Sequence, residues 1–277
     1  VVCATGHADH CWAIRGGGGN FGIAASLEYN LHAVGPTITG GLVAHPFAKS
    51  LDVLRFYRDL CEAASDDMAL FAGLLTGPDG STKLAGILAA HFGTLAEGEA
   101  ATTPIKAFGP PVMDALGPLP YCTLNTMLDP SYPKGALNYW KAQFVTDLSD
   151  DCIRTLMDRF EQCPSPMGQF IIEHFHGAST RVGLTDTACT LRTPGFDVVI
   201  LSQWSDPRDT ETCIRWCRDS YSALKPYLGT ARYMNYLAHD ESDARAVYGP
   251  NYPRLQELKR KYDPDNFFQT NVNIPPL

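Results

Sequence analysis

Five groups of residues in this 277-residue chain have types and spacings that could do chemistry. The first is the run Gly16 to Gly19, which with Gly22 makes a G-x-G-x-x-G pattern. Four residues without Cβ atoms let a flat ligand or a phosphate reach the backbone amides, or simply form a turn between two elements. A dinucleotide loop of the Rossmann kind needs a strand before the glycines, a helix after them and an acidic residue about 20 positions on. Here a helical turn precedes, an alternating segment follows, and the acidic residue beyond Glu28 is Asp52, so that mode of NAD binding is excluded. The second group is His174-x-His176. On a strand the two rings share a face and could hold a metal if a third ligand joined them; no suitably spaced third ligand is evident. The third, Cys3, His7, His10 and Cys11, resembles a metal cluster but matches no common zinc spacing. The fourth is a strand over 196–204 with Asp197, Val199, Leu201 and Gln203 on one face. The Gln203 amide could orient a substrate hydroxyl or be a satisfied buried group, but it is no base. The fifth is Tyr233 and Tyr236. A phenol with a pKa near ~10 acts as a base only if its surroundings lower it, and aromatic packing is the alternative. Neither a G-x-S-x-G elbow nor a P-loop is present, which excludes an α/β-hydrolase triad and P-loop phosphate chemistry.

The elements that must position these groups follow from periodicity and turn residues. Short β-like character at 2–5 precedes a helical turn at 8–15. Residues 21–34 alternate, with Ile23, Ala25, Leu27, Tyr29 and Leu31 on one side, which predicts a strand with one polar face. Strands are expected at 38–46, 68–76, 82–92, 136–145, 168–176, 196–204 and 231–237. Gly77-Pro78-Asp79-Gly80 joins the second and third of these as a hairpin turn. Helices are expected over about 51–64 and over 95–107, 149–162, 207–225, 240–247 and 251–262; Pro and Gly make 108–121 a loop, and the tail from Asn266 is extended. This mixed order with hairpins predicts an α+β fold, a broad antiparallel sheet covered by helices.

Composition bounds the function. The formal charge is −8, and 45% of residues are apolar. An acidic chain lacks the basic face of a nucleic-acid binder, and no stretch reaches the ~18 apolar residues of a membrane span. Nine cysteines, an odd number without a CxxC pair, read as reduced thiols and a cytoplasmic setting. No signal-peptide pattern opens the chain, which starts on Val1.

Four blocks in order, Trp12–Ile23 (WAIRGGGGNFGI), Tyr139–Lys141 (YWK), Tyr233–Leu237 (YMNYL) and Tyr248–Pro275 (YGPNYPRLQELKRKYDPDNFFQTNVNIP), resemble the berberine bridge enzyme-like FAD-linked oxidases of the vanillyl-alcohol oxidase/para-cresol methylhydroxylase superfamily. The stretches Ile172–Val182, Thr187–Arg192 and Gln203-Trp204 extend the likeness to bacterial members. The resemblance implies FAD as cofactor and three segments: 1–37 as the remainder of an FAD-binding domain, 38–229 as the substrate-binding domain and 230–277 as a return segment to the FAD domain. It implies that Gly18, Gly19, Asn20, Phe21, Gly22 and Ile23, with Asn271 and Asn273 of the tail, approach the flavin. It implies catalytic roles for Tyr236 and Gln203, and substrate contacts from Tyr139, Lys141, Glu173, His176 and Asn235. No metal is implied. Family members also carry, upstream, a pyrophosphate-binding loop with a His and a further Cys. None of the nine Cys or eight His here sits in such a loop, so roughly the N-terminal third to two-fifths of the family pattern is not represented.

Two functions are compatible with this resemblance. One is an oxidase passing hydride from a small-molecule alcohol, amine or activated C–H to flavin with O2 as acceptor, of which this chain is a fragment or which works beside a separately encoded N-terminal FAD-binding segment. The other is a flavin-free small-molecule binding module or non-redox enzyme.

Overall fold

The computed structural model describes residues 2–229, 231–237, 243–269 and 272–276. In chain order its elements are α1 (Ala8–Ile14), β1 (Thr37–Pro46), α2 (Ser50–Glu62), β2 (Met68–Thr76), β3 (Lys83–His91), α3 (Leu95–Ala107), β4 (Met113–Asp114), β5 (Gly117–Pro120), α4 (Tyr121–Thr126), β6 (Leu137–Val145), α5 (Asp150–Glu161), β7 (Gln169–Phe175), β8 (Gly195–Trp204), α6 (Thr210–Leu224), α7 (Ala244–Tyr248) and α8 (Tyr252–Tyr262). The backbone divides into two compact units. One comprises 1–31, 176–194 and 230–277; the other comprises 32–175 and 195–229.

The second unit is an antiparallel sheet in the order β4-β1-β3-β2-β7-β8-β6, with β5 also paired to β1. β2 and β3 meet through a turn closed by the Gly77 amide on Thr82 O at 2.7 Å and by Asp79, whose carboxylate accepts from the Ser81 and Thr82 amides. Those bonds hold the Asp79 carboxyl below the usual carboxylate range. α3 starts on a reciprocal cap between Thr94 and Glu97. The apolar stripe of α2 (Val53, Leu54, Tyr57, Cys61) and that of α5 (Cys152, Ile153, Leu156, Phe160) join Trp216, Cys217 and Leu224 of α6 over one sheet face. Arg55 and Arg58 of α2 both reach Asp150 at the start of α5 and keep its carboxyl well below the usual range. Inside the core, the Tyr57 hydroxyl donates to Ile172 O at 2.9 Å and Leu70 O at 3.2 Å.

The first unit holds α1, α7 and α8 around a smaller core that includes Trp12, Ala13, Phe21, Tyr248, Leu255 and Ile274. Residues 176–194, expected within a continuous 38–229 segment, group with this unit. Trp12 Nε1 donates to Thr185 O at 2.8 Å, Asn251 Nδ2 donates to Leu184 O at 2.9 Å, and Thr190 Oγ1 donates to Val247 O at 2.9 Å.

Three sequence expectations change. Residues 21–34 are extended but pair with no strand among the described residues; Ile23 and Leu31 are 86% and 92% exposed. Alternation shows that a face could be buried, not that a partner is at hand. Residues 231–237 form no strand but a 3-10 turn over Met234–Tyr236. The loop at 108–121 contains β4 and β5; Pro118 and Pro120 are tolerated because β5 pairs on one side only. The helix expected at 240–247 is described from Ala244, since 238–242 lie outside the described residues. No helix among the described residues is long and apolar enough to cross a membrane.

The substitution Tyr57→Phe removes a fully buried donor between β2 and β7. Urea denaturation should show a loss of about 1 kcal/mol with an unchanged slope; an unchanged midpoint would remove the hydroxyl from this role.

Candidate functional site

Strand register fixes what each face of the large sheet presents. Tyr139, Lys141 and Gln143 of β6 lie on the helix-covered face with Ser202, Ile200 and Val198 of β8. Lys141 is buried, its ammonium 5.6 Å from the Tyr221 ring centre and 5.9 Å from that of Tyr139. Arg218 of α6 donates to the Tyr139 hydroxyl at 3.1 Å. Both residues thus engage α6, and Lys141 lies on the face opposite the one that carries Glu173. His174 shares the helix-covered side, its ring 5.7 Å from Phe196, and the strand ends at Phe175, before His176.

The opposite face carries Asn138, Trp140 and Phe144 of β6, Asp197, Val199, Leu201 and Gln203 of β8, and Ile171 and Glu173 of β7. The segment after the 3-10 turn Asp129–Ser131 lies over part of it. Gln203 Nε2 donates to Ser131 O at 3.0 Å, and the Tyr132 ring is 6.0 Å from that of Trp140. Gln203 is thus held by backbone rather than left to swing. Two polar atoms on this face are buried and have no hydrogen-bond partner among the described residues: Trp140 Nε1, a donor, and Asp197 Oδ2, an acceptor. Unmatched buried polar atoms are costly and call for an explanation, a ligand among them. Burial, and then the charge of Glu173, push the Asp197 carboxyl up to about 7. The sequence already set Asp197 beside Gln203; what it did not reveal was the burial that makes Asp197 unusual, or that Trp140 rather than its two neighbours shares this face.

In the other unit the glycine turn has a divided task. A Cβ at Gly16, with φ at +127°, would lie 2.2 Å from the Cys189 amide nitrogen, so close backbone packing requires glycine there. A Cβ at Gly22, with φ at +142°, would meet nothing within 4 Å. Gly18 and Gly19 form a short 3-10 turn with Asn20. Asn20 is buried, and its amide donates to Gly17 O and to Val272 O, both at 2.9 Å, while its Oδ1 accepts from the Ile274 amide at 3.1 Å. The Phe21 ring is in the core and its carbonyl accepts from His10 Nε2 at 3.1 Å. His10 also stacks on Tyr262, 4.4 Å between centres, which is a packing role. Lys259 is fully enclosed and donates to Asn20 O at 2.9 Å, Phe268 O at 2.7 Å and Asp263 Oδ2 at 2.6 Å.

The tail is thereby fixed beside the glycine turn. Asn273 Oδ1 is buried there without a hydrogen-bond partner among the described residues; Asn271 lies outside them. The open space at Gly22 and the unmatched Asn273 oxygen fit a bound polar cofactor approaching this turn, whereas the Asn20 and Phe21 side chains are committed to the protein itself. Tyr236 ends the 3-10 turn, half-buried, its ring edge-on to Tyr233 at 4.9 Å. Asn235 is exposed and donates to the Tyr233 hydroxyl at 2.9 Å, so it braces its neighbour instead of pointing from the far side of a strand. His176 Nα–Cα geometry is extended, and its carbonyl accepts from Ser179 Oγ at 2.9 Å. No cluster of three or more metal-ligating side chains occurs among the described residues.

Residues 232–275 match the family described as berberine and berberine like. Beyond that C-terminal block, the chain is similar along nearly its whole length to proteins named as FAD-linked oxidoreductases. It is 27% identical over 269 residues to an FAD-linked oxidoreductase of Dictyostelium discoideum, covering 96% of this chain and 58% of that protein. It is 25% identical over 275 residues to an uncharacterised FAD-linked oxidoreductase of Bacillus subtilis, covering 97% and 61%. The fold matches that of berberine bridge enzyme from Eschscholzia californica, with a TM-score of 0.84 at 18% identity, covering 97% of this chain and 61% of that one. It also matches that of 6-hydroxy-D-nicotine oxidase from Arthrobacter nicotinovorans, with a TM-score of 0.84 at 21% identity, covering 100% and 63%. The chain thus spans about three-fifths of the length of these berberine bridge enzyme-like relatives.

Replacing Asn20 with Ala removes the link between glycine turn and tail. Exchange of the Ile274 amide with solvent deuterium should accelerate by about 10² or more relative to the β3 amides; equal acceleration in both places would mean global destabilisation instead.

Proposed function

We propose that this chain supplies the substrate-binding domain and the C-terminal side of the flavin site of an FAD-dependent oxidase. The observation that carries the reading is the junction made by Asn20. It brings the glycine turn against a tail more than 250 positions away and leaves the Asn273 carbonyl oxygen unmatched beside it. In this reading the backbone from Gly18 to Ile23, with Asn271 and Asn273, holds the cofactor. When bound, FAD supplies the two-electron acceptor, and O2 reoxidises it.

The substrate is a small-molecule alcohol, amine or activated C–H. The helix-free face of the sheet orients it, through Glu173, the Gln203 amide and the unmatched Trp140 and Asp197 atoms; His176 and Asn235 are further substrate contacts in this reading. Tyr236 accepts the proton that leaves as the hydride departs. An ordinary phenol is too weak a base at neutral pH, so its phenolate must be stabilised in the loaded enzyme. A complementary segment equivalent to the remaining length of the relatives is the partner this reading requires.

The flavin-free alternative is tested directly. Purified chain incubated with FAD and passed over a sizing column should carry flavin absorbance; a folded, monodisperse and colourless protein would overturn the cofactor reading for this chain. With flavin bound and an oxidisable substrate in hand, Tyr236→Phe should lower turnover by about 10² while leaving the flavin spectrum in place. Unchanged turnover would remove Tyr236 from proton handling.

A further inference from the structure

One cross-strand row of the large sheet reads Phe144, Asp197, Glu173, Phe71 over β6, β8, β7 and β2, each residue directly opposite the next. Two carboxyl groups thus stand side by side on one face, bracketed by two phenyl rings. Directly opposed residues of an antiparallel pair have Cβ atoms about 4.5–5.5 Å apart, and like charges in that position repel. Asp197 is 3% exposed, and its Oδ2 is buried without a hydrogen-bond partner among the described residues. A second full negative charge in so dry a place is expensive, and the least costly arrangement keeps a proton there.

We propose that Asp197 keeps its proton at neutral pH beside the Glu173 carboxylate, and that the two serve together as an acid and an acceptor on the helix-free face. The surroundings are consistent with this. β6 contributes the apolar rings of Phe144 and Trp140, since Tyr139 and Lys141 point to the helices. β8 adds Gln203, which does not titrate. The overlying segment adds Tyr132, whose phenol is also raised, first by burial and then by the Glu173 charge. Glu173 itself comes from β7, and His174 beside it faces the helices. The rise of the Asp197 carboxyl to about 7 has the matching order of causes, burial first and the Glu173 charge second.

Such a pair donates and accepts a hydrogen bond at once, which suits a substrate presenting a hydroxyl or amine nitrogen. That use rests on the oxidase reading; the proton retained on Asp197 does not. The sign of the stability effect follows from the raised carboxyl. Between about pH 4 and pH 7 the folded chain holds a proton that the unfolded chain has lost. The stabilisation is therefore complete at low pH and disappears as pH rises through about 7.

The test is a pH titration of the whole chain carrying ¹³C in its Asp and Glu carboxyl groups, followed by NMR. The wild type should show one carboxyl resonance titrating near neutral pH, lost in Asp197→Asn. In Glu173→Gln the Asp197 midpoint should drop by more than about one pH unit, because the like charge is gone. Asp197→Asn should also melt higher than wild type at pH 8 but not at pH 4. An Asp197 resonance titrating below pH 5 in the wild type, or one that Glu173→Gln leaves unmoved, would overturn the proposal. Should Asp197→Asn not fold, the wild-type and Glu173→Gln titrations decide alone. Failure to take up flavin would sink the oxidase reading while leaving these resonances as they are.

Discussion

A buried ammonium with three N–H groups must find three acceptors, and Lys259 finds them in three different places: the carbonyl of the glycine turn, the tail carbonyl of Phe268 and the Asp263 carboxylate. Asp263 is in turn occupied by the Phe267 and Phe268 amides. The charge pair therefore determines where the chain can go on both sides of α8. Asn20 depends on this arrangement, because its amide reaches Val272 and Ile274 only while turn and tail are held together. A single enclosed cation thus fixes the backbone from which any cofactor would be held.

In the larger unit the governing constraint is the two-residue period of a strand. Once α2, α5 and α6 cover one face, every side chain of β6, β7 and β8 is assigned to apolar packing or to the opposite side. Asp197, Glu173, Trp140 and Gln203 fall together because they share parity across the register, and the same parity sends Tyr139, Lys141 and His174 to the helices. Sliding β8 by one residue would exchange the two sets and bury Asp197 beneath α6.

The sequence made much of this readable. The strand-like runs at 68–76 and 82–92 and the Gly77–Gly80 turn placed the β2–β3 hairpin, and the helix expected over 95–107 is α3. Parity within one strand was also readable, so Asp197 and Gln203 were on one face from the start. Which face the helices would take was not, because that depends on how distant segments pack, so the contacts of Tyr139 and Lys141 with α6 could not be read from spacing. Lys259 was invisible for a related reason. Next to Arg260 and Lys261, with Asp263 four residues on, it resembles any solvated charge on a surface helix, and only the tail folding over it makes it interior. The segment at 231–237 has the aromatic content of a strand, but no neighbouring strand offers it a ladder.

The extended segment 22–34 has a colloidal consequence. It places Ile23, Leu27, Tyr29 and Leu31 in solvent with Glu28 as its only carboxylate and no proline, which is the composition of a template for edge-to-edge association. What keeps copies apart is the net charge of −8, and its reach shrinks to about 8 Å at physiological ionic strength. Association through this strip would therefore depend on salt, through the screening of that charge.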